Sequence, residues 1–134
     1  ATIAAAQWRE VLPQADWLLL ACPLNAQTRG MVDAAALALL PAHAGFVNVS
    51  RGEIVDEPAL VAALREGRLA GANLDVFAQE PLPAGSPLWT MPNVIATPHS
   101  AGLSGGNAAR VQEMFLDNLR RWAAGEPLRN VARD

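Results

Sequence analysis

The sequence is short of the residues that build disulfides, metal centres and nucleic-acid interfaces. Its 134 residues include one cysteine and no lysine or tyrosine. A single cysteine, Cys22, excludes an internal disulfide and a zinc site made of several cysteines, and it favours a reducing cytoplasm. Ten basic residues, all arginine, stand against thirteen acidic ones, for a net charge of −3. No basic run follows a phosphate backbone, so we expect no nucleic-acid partner.

Long apolar runs are also missing. The apolar run at residues 17–22 stops at Pro23, and like the run at residues 34–40 it is too short to cross a bilayer. The first residues lack the charged start and apolar core of an export signal, so we expect no membrane partner. Apolar residues nevertheless make up 51% of the chain and charged residues 17%, which favours one compact domain over a disordered segment.

Short β-rich segments alternate with helical ones along the chain, which is typical of parallel βαβ units in an α/β fold. Strands are predicted at residues 17–22, 45–49, 72–77 and 93–97. Helices are predicted at residues 34–40, from 57 to 67 or 71, and from 104 to 125, with another before residue 17. The apolar first strand is predicted to be covered on both faces.

The residues that follow the predicted strands carry the chemistry of this chain. Ligands of open parallel sheets bind beyond the carboxyl ends of the strands, where Arg51, Glu80 and His99 are expected. An arginine can hold a carboxylate through two hydrogen bonds, and an imidazole exchanges protons near neutral pH. A carboxylate behind the imidazole fixes its tautomer and favours its charged form. Reduction of a 2-oxo acid requires these functions together.

Three motifs in order make the sequence resemble the D-isomer-specific 2-hydroxyacid dehydrogenases over residues 8–131. They are Val-Asn-Val-Ser-Arg-Gly at 47–52, Asp-Val-Phe at 75–77 with Glu-Pro-Leu at 80–82, and Thr-Pro-His at 97–99. Pro-Leu-Trp at 87–89, followed by Pro-Asn-Val at 92–94, is most similar to the glyoxylate/hydroxypyruvate reductase branch. Formate dehydrogenases, which are similar, carry Gln where this chain has Glu80, so Glu80 favours a hydroxy acid over formate.

The resemblance implies a fold and an activity. The fold is a Rossmann-like parallel sheet with flanking helices, the second half of a dinucleotide-binding domain at residues 1–103. Residues 104–134 would form a C-terminal helix and tail that return toward a substrate domain. The implied activity is hydride transfer between NAD or NADP and a small 2-oxo or 2-hydroxy acid, glyoxylate or hydroxypyruvate. The implied setting is a cytoplasmic homodimer.

The resemblance also implies roles for single residues. Arg51 would hold the carboxylate and carbonyl of the substrate, Glu80 would pair with His99, and His99 would be the acid in reduction and the base in oxidation. Cofactor contacts are implied at Arg51 and His99 and at seven further positions: Cys22 and Pro23 on the adenosine side, Val49 and Ser50 beside the nicotinamide, Asp75 at the carboxamide, and the backbone around Ser100 and Gly102. No metal is implied.

One family feature is missing from the sequence. No Gly-x-Gly-x-x-Gly loop is present, and the glycine-rich residues 102–106 do not have its spacing. The chain also starts at Ala1 without an initiator Met. We therefore expect the C-terminal portion of a longer protein, inactive alone, with an unpaired apolar sheet edge that favours oligomerisation or a partner segment.

Other interpretations of the same residues stay open at this point. A dinucleotide-sensing binding module or co-regulator of the same family would keep these motifs with little turnover. By position alone, Arg51 also fits an ordinary surface arginine, Glu80 and Asp75 fit loop carboxylates, and His99 fits a hydrogen-bonded structural histidine. Trp89 fits either a packing residue or a wall of the site. Substrate-dependent turnover separates the enzyme from the sensor.

Overall fold

The computed structural model describes residues 2–131. The described residues as far as Ala101 form one compact unit, and those from Gly102 onward form another. The first unit holds the sheet and its loops, and the second holds one long helix. The structure thus divides the chain two residues before the predicted 103/104 boundary. The place of each unit in a larger enzyme stays a prediction.

The first unit is built on a four-stranded parallel sheet in the order β1-β2-β3-β4. The strands are β1 (Trp17–Leu20), β2 (Gly45–Asn48), β3 (Gly71–Leu74) and β4 (Val94–Ala96). The register places Phe46 beside Leu18 on one side and Ala72 on the other. The predicted α/β, Rossmann-like sheet is therefore confirmed, and among the described residues β1 and β4 are its edge strands.

Within residues 2–131, three α-helices and three 3₁₀ segments accompany the strands. They are α1 (Ala34–Leu39), α2 (Glu57–Arg65) and α3 (Asn107–Ala123), with 3₁₀ turns at Ala5–Gln14, Gly52–Ile54 and Pro87–Trp89. Asp33 and Asp56 cap α1 and α2 by accepting the N–H groups of Ala36 and Ala59 at 2.8 and 3.0 Å. The helix predicted before β1 is 3₁₀ rather than α, because Ala4 offers no side-chain cap and Pro13 has no N–H to donate.

The two faces of the sheet differ in what covers them. Even-numbered residues such as Leu20, Phe46 and Leu74 are buried in one core with α1 and α2. On the opposite face, Trp17 is 68% and Ile95 62% exposed. The prediction that β1 is covered on both faces is therefore wrong for the described residues. A continuous apolar run shows that a strand is hydrophobic, but it does not show which neighbours cover it.

The second unit consists of α3 and the segments on either side of it. The helix is shorter at both ends than the predicted 104–125, since the chain before it turns through Gly106 at φ +80°. Asp117 and Arg121 pair one turn apart at 3.0 Å. Asn118 holds the segment after the helix, because its Oδ1 accepts the N–H of Arg129 at 2.8 Å.

Candidate active site

The predicted site residues of the first unit gather at the carboxyl edge of the sheet. The strands end there in a set of backbone hydrogen bonds, in which the carbonyls of Leu20, Asn48 and Leu74 accept the N–H groups of Val49, Asp75 and Thr97 at 3.2, 2.9 and 3.0 Å. Beyond these bonds the chain leaves the sheet, so each strand is shorter than its apolar pattern predicts. The loops that begin here carry Arg51, Glu80 and His99.

His99 and Glu80 form the pair that the sequence predicts. The Nδ1 atom of His99 lies 2.8 Å from Oε2 of Glu80, and the other carboxylate oxygen accepts the N–H of Phe77 at 3.0 Å. The hydrogen bond with His99 lowers the pKa of Glu80 and outweighs the opposing effect of burial; the Phe77 N–H and the charge of Arg51 lower it further. An ionised carboxylate can only accept, so Nδ1 carries the hydrogen and Nε2 is left to exchange a proton with a ligand.

The His99 backbone adopts a left-handed conformation that Asp75 holds in place. The φ angle of His99 is +51°, which is uncommon for a residue with a side chain. The Asp75 carbonyl accepts the His99 N–H at 2.9 Å, while its carboxylate accepts the N–H groups of Ser100 and Ala101 at 2.9 and 2.8 Å. Asp75 thus shapes the turn that presents the imidazole.

Asp75 is charged although it is only 2% exposed. Burial raises its pKa, but the hydrogen bonds from Thr97, Ala101 and Ser100 outweigh burial and leave the pKa below its ordinary value. All three donors lie next to His99 in the chain, so both carboxylate oxygens of Asp75 are hydrogen-bonded to the His99 loop. The predicted contact of Asp75 with a carboxamide stays a prediction.

The Arg51 loop is tied to its neighbours on both sides. Ser50 Oγ donates to the carbonyl of Cys22, which links the ends of β1 and β2. One guanidinium nitrogen of Arg51 donates to the Ser50 carbonyl at 2.6 Å, and the residue is exposed. Gly52 packs so closely on the next loop that a Cβ would lie 1.9 Å from the carbonyl carbon of Phe77. Glycine is therefore required there, and the Arg51 loop rests against the Glu80 loop.

A cavity of about 570 Å³ opens beside the hydrogen-bonded pair of His99 and Glu80. His99 and Glu80 contribute polar atoms to its wall, and most of the remaining lining is apolar, including Phe77, Leu82 and Trp89. The Trp89 indole N–H donates to the carbonyl of Pro83 at 2.9 Å, which fixes the ring against the loop after Glu80. Trp89 therefore forms part of the wall beside the pair.

The remaining predicted cofactor positions differ in exposure. Cys22 is half-buried and Pro23 exposed just after β1, Val49 is 39% exposed, Ser50 is buried and Ser100 is half-buried. Gly102 belongs to the second unit and has open space around its Cα. The contacts of these residues with a dinucleotide stay predictions.

Sequence reasoning assigned no role to two residues that build the site. Asn48 is almost fully buried and its side chain bonds the Arg51 loop, and Thr97 Oγ1 donates to the Asp75 carboxylate at 2.5 Å. The sequence does carry a local signal for Asn48, since an asparagine side chain readily accepts a hydrogen bond from the backbone N–H two residues later, here that of Ser50. The Thr97 contact joins strands far apart in sequence and has no local signal.

Residues 2–131 contain neither a cluster of metal-ligating side chains nor a membrane-spanning helix. No three His, Cys, Asp or Glu side chains lie close enough together to hold a metal ion. Within the same residues no helix has the length and apolar character needed to cross a membrane.

Comparison with known proteins assigns the family. The sequence profile of the D-isomer specific 2-hydroxyacid dehydrogenase, NAD binding domain, matches residues 1–101. The chain belongs to this family.

Individual relatives and solved structures agree with that assignment. A glyoxylate reductase of Korarchaeum cryptofilum is 41% identical over 117 residues, which are 87% of this chain and 35% of the relative. A D-isomer specific 2-hydroxyacid dehydrogenase of Xanthobacter autotrophicus Py2, solved with NADPH and MES, superposes with a TM-score of 0.88 at 45% identity over 96% of this chain and 52% of that one. An NADPH-dependent glyoxylate/hydroxypyruvate reductase of Sinorhizobium meliloti was solved with NADP and sulfate. It superposes with a TM-score of 0.87 at 36% identity, over 97% of this chain and 42% of that one.

The chain covers only part of these proteins. It spans about a third of the length of the curated relatives that it matches, 35% and 34% for two of them.

Proposed function

We propose that this chain supplies the acid–base pair and the carboxylate-binding arginine of an NAD(P)H-dependent reductase acting on a small 2-oxo acid, glyoxylate or hydroxypyruvate. The observation that carries the proposal is the contact of His99 Nδ1 with Glu80 Oε2 at 2.8 Å. Both side chains are open to a ligand, at 45% and 36% exposure, and the loop of Arg51 packs against the loop of Glu80 through Gly52.

The three side chains have complementary tasks. Arg51 holds the substrate carboxylate through charge-assisted hydrogen bonds. His99, protonated on both nitrogens, gives the Nε2 proton to the carbonyl oxygen as that oxygen becomes a hydroxyl, and it takes the proton back in the oxidative direction. Glu80 stabilises the charged ring and keeps Nδ1 protonated. NADH or NADPH, when bound, supplies the hydride.

The residues of the first unit fit the nicotinamide end of such a cofactor better than its phosphates. The carboxyl edge of the sheet is open beside Val49, but the sequence has no Gly-x-Gly-x-x-Gly loop for a pyrophosphate. The Xanthobacter and Sinorhizobium structures were solved with NADPH and NADP, and a Lactobacillus delbrueckii relative was solved with NAD, which supports NAD or NADP as the cofactor.

The reductase is preferred to a dinucleotide-sensing module because the relatives carry reductase and dehydrogenase names. We further propose a cytoplasmic homodimer. The single cysteine, half-buried Cys22, is consistent with a reducing compartment.

The test measures the oxidation of NADH and NADPH that depends on glyoxylate or hydroxypyruvate, with the protein as it is purified from its native source. Arg51→Ala should raise KM by about 10- to 100-fold and lower kcat, because one charged group holds both the substrate and the transition state. Arg65→Ala, an exposed arginine at the end of α2, is the matched control and should leave both constants unchanged. Unchanged kinetics in Arg51→Ala would contradict the proposed function.

A further inference from the structure

Asn48, the last residue of β2, lies beneath the Arg51 loop. It is 1% exposed, yet it carries a polar amide. The Oδ1 atom accepts the N–H of Ser50 at 3.0 Å, and the Nδ2 group donates to the carbonyl of Arg51 at 3.0 Å. Its backbone carbonyl accepts the N–H of Asp75 at 2.9 Å. Asn48 therefore touches the arginine loop with its side chain and the loop of the acid–base pair with its backbone.

The two side-chain hydrogen bonds fix the peptide groups that precede Ser50 and follow Arg51, so they bracket this pair of residues. One bond holds the peptide group between residues 49 and 50, and the other holds the peptide group between residues 51 and 52. A single short side chain must accept at one end and donate at the other, which asparagine does and aspartate or alanine does not. Buried amide groups that lose such partners are costly to leave unpaired, so the loop changes shape when the side chain changes.

We propose that Asn48 is a positioning residue, which sets the direction of the Arg51 guanidinium and thereby the affinity of the site for the substrate carboxylate. The inference rests on the proposed function, because it assigns a cause to the carboxylate binding of Arg51. Asn48 itself is buried under the loop and is assigned no contact with the substrate.

The experiment is a double-mutant cycle between Asn48 and Arg51, made in the same native form of the protein. Asn48→Ala should raise KM for glyoxylate and the inhibition constant of oxalate by about 10-fold, with the NADPH dissociation constant within about twofold of wild type. In an Arg51→Ala background the same substitution should raise neither constant further, because its effect passes through Arg51. Asn73→Ala, an exposed asparagine on β3, is the matched control.

A second variant gives a readout that loss of packing would not produce. Asn48→Asp keeps the acceptor for Ser50 but places a carboxylate oxygen against the Arg51 carbonyl. Protonation of that carboxyl at acid pH restores a donor, so the KM ratio of Asn48→Asp to wild type should shrink as the pH falls. The ratio for Asn48→Ala should stay constant, and Asn48→Asp still decides the question if Asn48→Ala does not fold.

The outcomes separate the two proposals. A wild-type protein that reduces neither glyoxylate nor hydroxypyruvate and does not bind oxalate overturns the proposed function. An active wild-type protein in which Asn48→Ala is equally harmful with and without Arg51 overturns the positioning role alone. A KM ratio of Asn48→Asp that does not respond to pH also overturns the positioning role.

Discussion

Two regions of the first unit expose large side chains, and they differ in how those side chains are held. At the carboxyl edge of the sheet, Glu80 and His99 are open to solvent but hydrogen-bonded to each other. On the opposite face of the sheet, which the odd-numbered strand residues form, Trp17 and Ile95 are more exposed, at 68% and 62%, and within residues 2–131 their side chains make no hydrogen bond. Exposure combined with a fixed position distinguishes a reactive site from an uncovered surface.

The difference has a physical origin in the loops. Buried polar residues at the strand ends, Asn48 and Asp75, use their side chains to bond the backbone of the loops that follow. The ladder hydrogen bonds of the strands hold the backbone of the odd-numbered face, but its apolar side chains have no comparable anchors. Substitutions at the edge should therefore change chemistry, and substitutions on the odd-numbered face should change little.

The largest effect on stability should come from the covered face of the sheet. Phe46→Ala removes a side chain that is 0% exposed and should lower the free energy of unfolding by about 3 to 5 kcal/mol, because the core does not refill the cavity. Ile95→Ala, on the odd-numbered face at 62% exposure, should cost less than about 1 kcal/mol. Urea unfolding of the two variants measures both values. Equal losses would show that another segment covers the odd-numbered face in solution.

A smaller effect is expected from Glu80→Gln, which keeps the shape of the pair and removes its negative charge. Glu80 stabilises the charged imidazole, so the pH at which glyoxylate reduction declines on the basic side should move to lower pH. The pH profile of kcat/KM measures this change, with Glu66→Gln, an exposed acid paired with Arg68, as the control. An unmoved profile would mean that the pair does not tune the proton donor.

The same variant has a signature in stability. The pKa of Glu80 is lower in the folded protein than its ordinary value, so the ionised carboxylate stabilises the fold at pH values above that ordinary value. This contribution is lost as the pH falls through the lowered pKa. The stability difference between wild type and Glu80→Gln should therefore be present at neutral pH and disappear in acid. A difference that persists in strong acid would contradict the assignment.

The sequence predicts the order of the elements and places Arg51, Glu80 and His99 in the loops that follow the strands, because strand composition and motif spacing are local properties. It misses the strand ends, since these depend on which carbonyl pairs with the next strand. It also misses the coverage of β1, which depends on neighbours rather than on the apolar run itself. The roles of Asn48 and Asp75 within the loops arise from contacts made only after the strands have been brought together.

The most direct test of the central claim compares the two histidines of the chain. His99 is hydrogen-bonded to Glu80 at 2.8 Å at the carboxyl edge, and the exposed His43 is hydrogen-bonded to Asp16 at 3.0 Å away from the Arg51 loop. Glyoxylate-dependent oxidation of NADPH should fall by about 10²-fold or more in kcat for His99→Ala, the usual contribution of a general acid, and should be unchanged for His43→Ala. Near-normal turnover of His99→Ala would show that another group delivers the proton and would contradict the account.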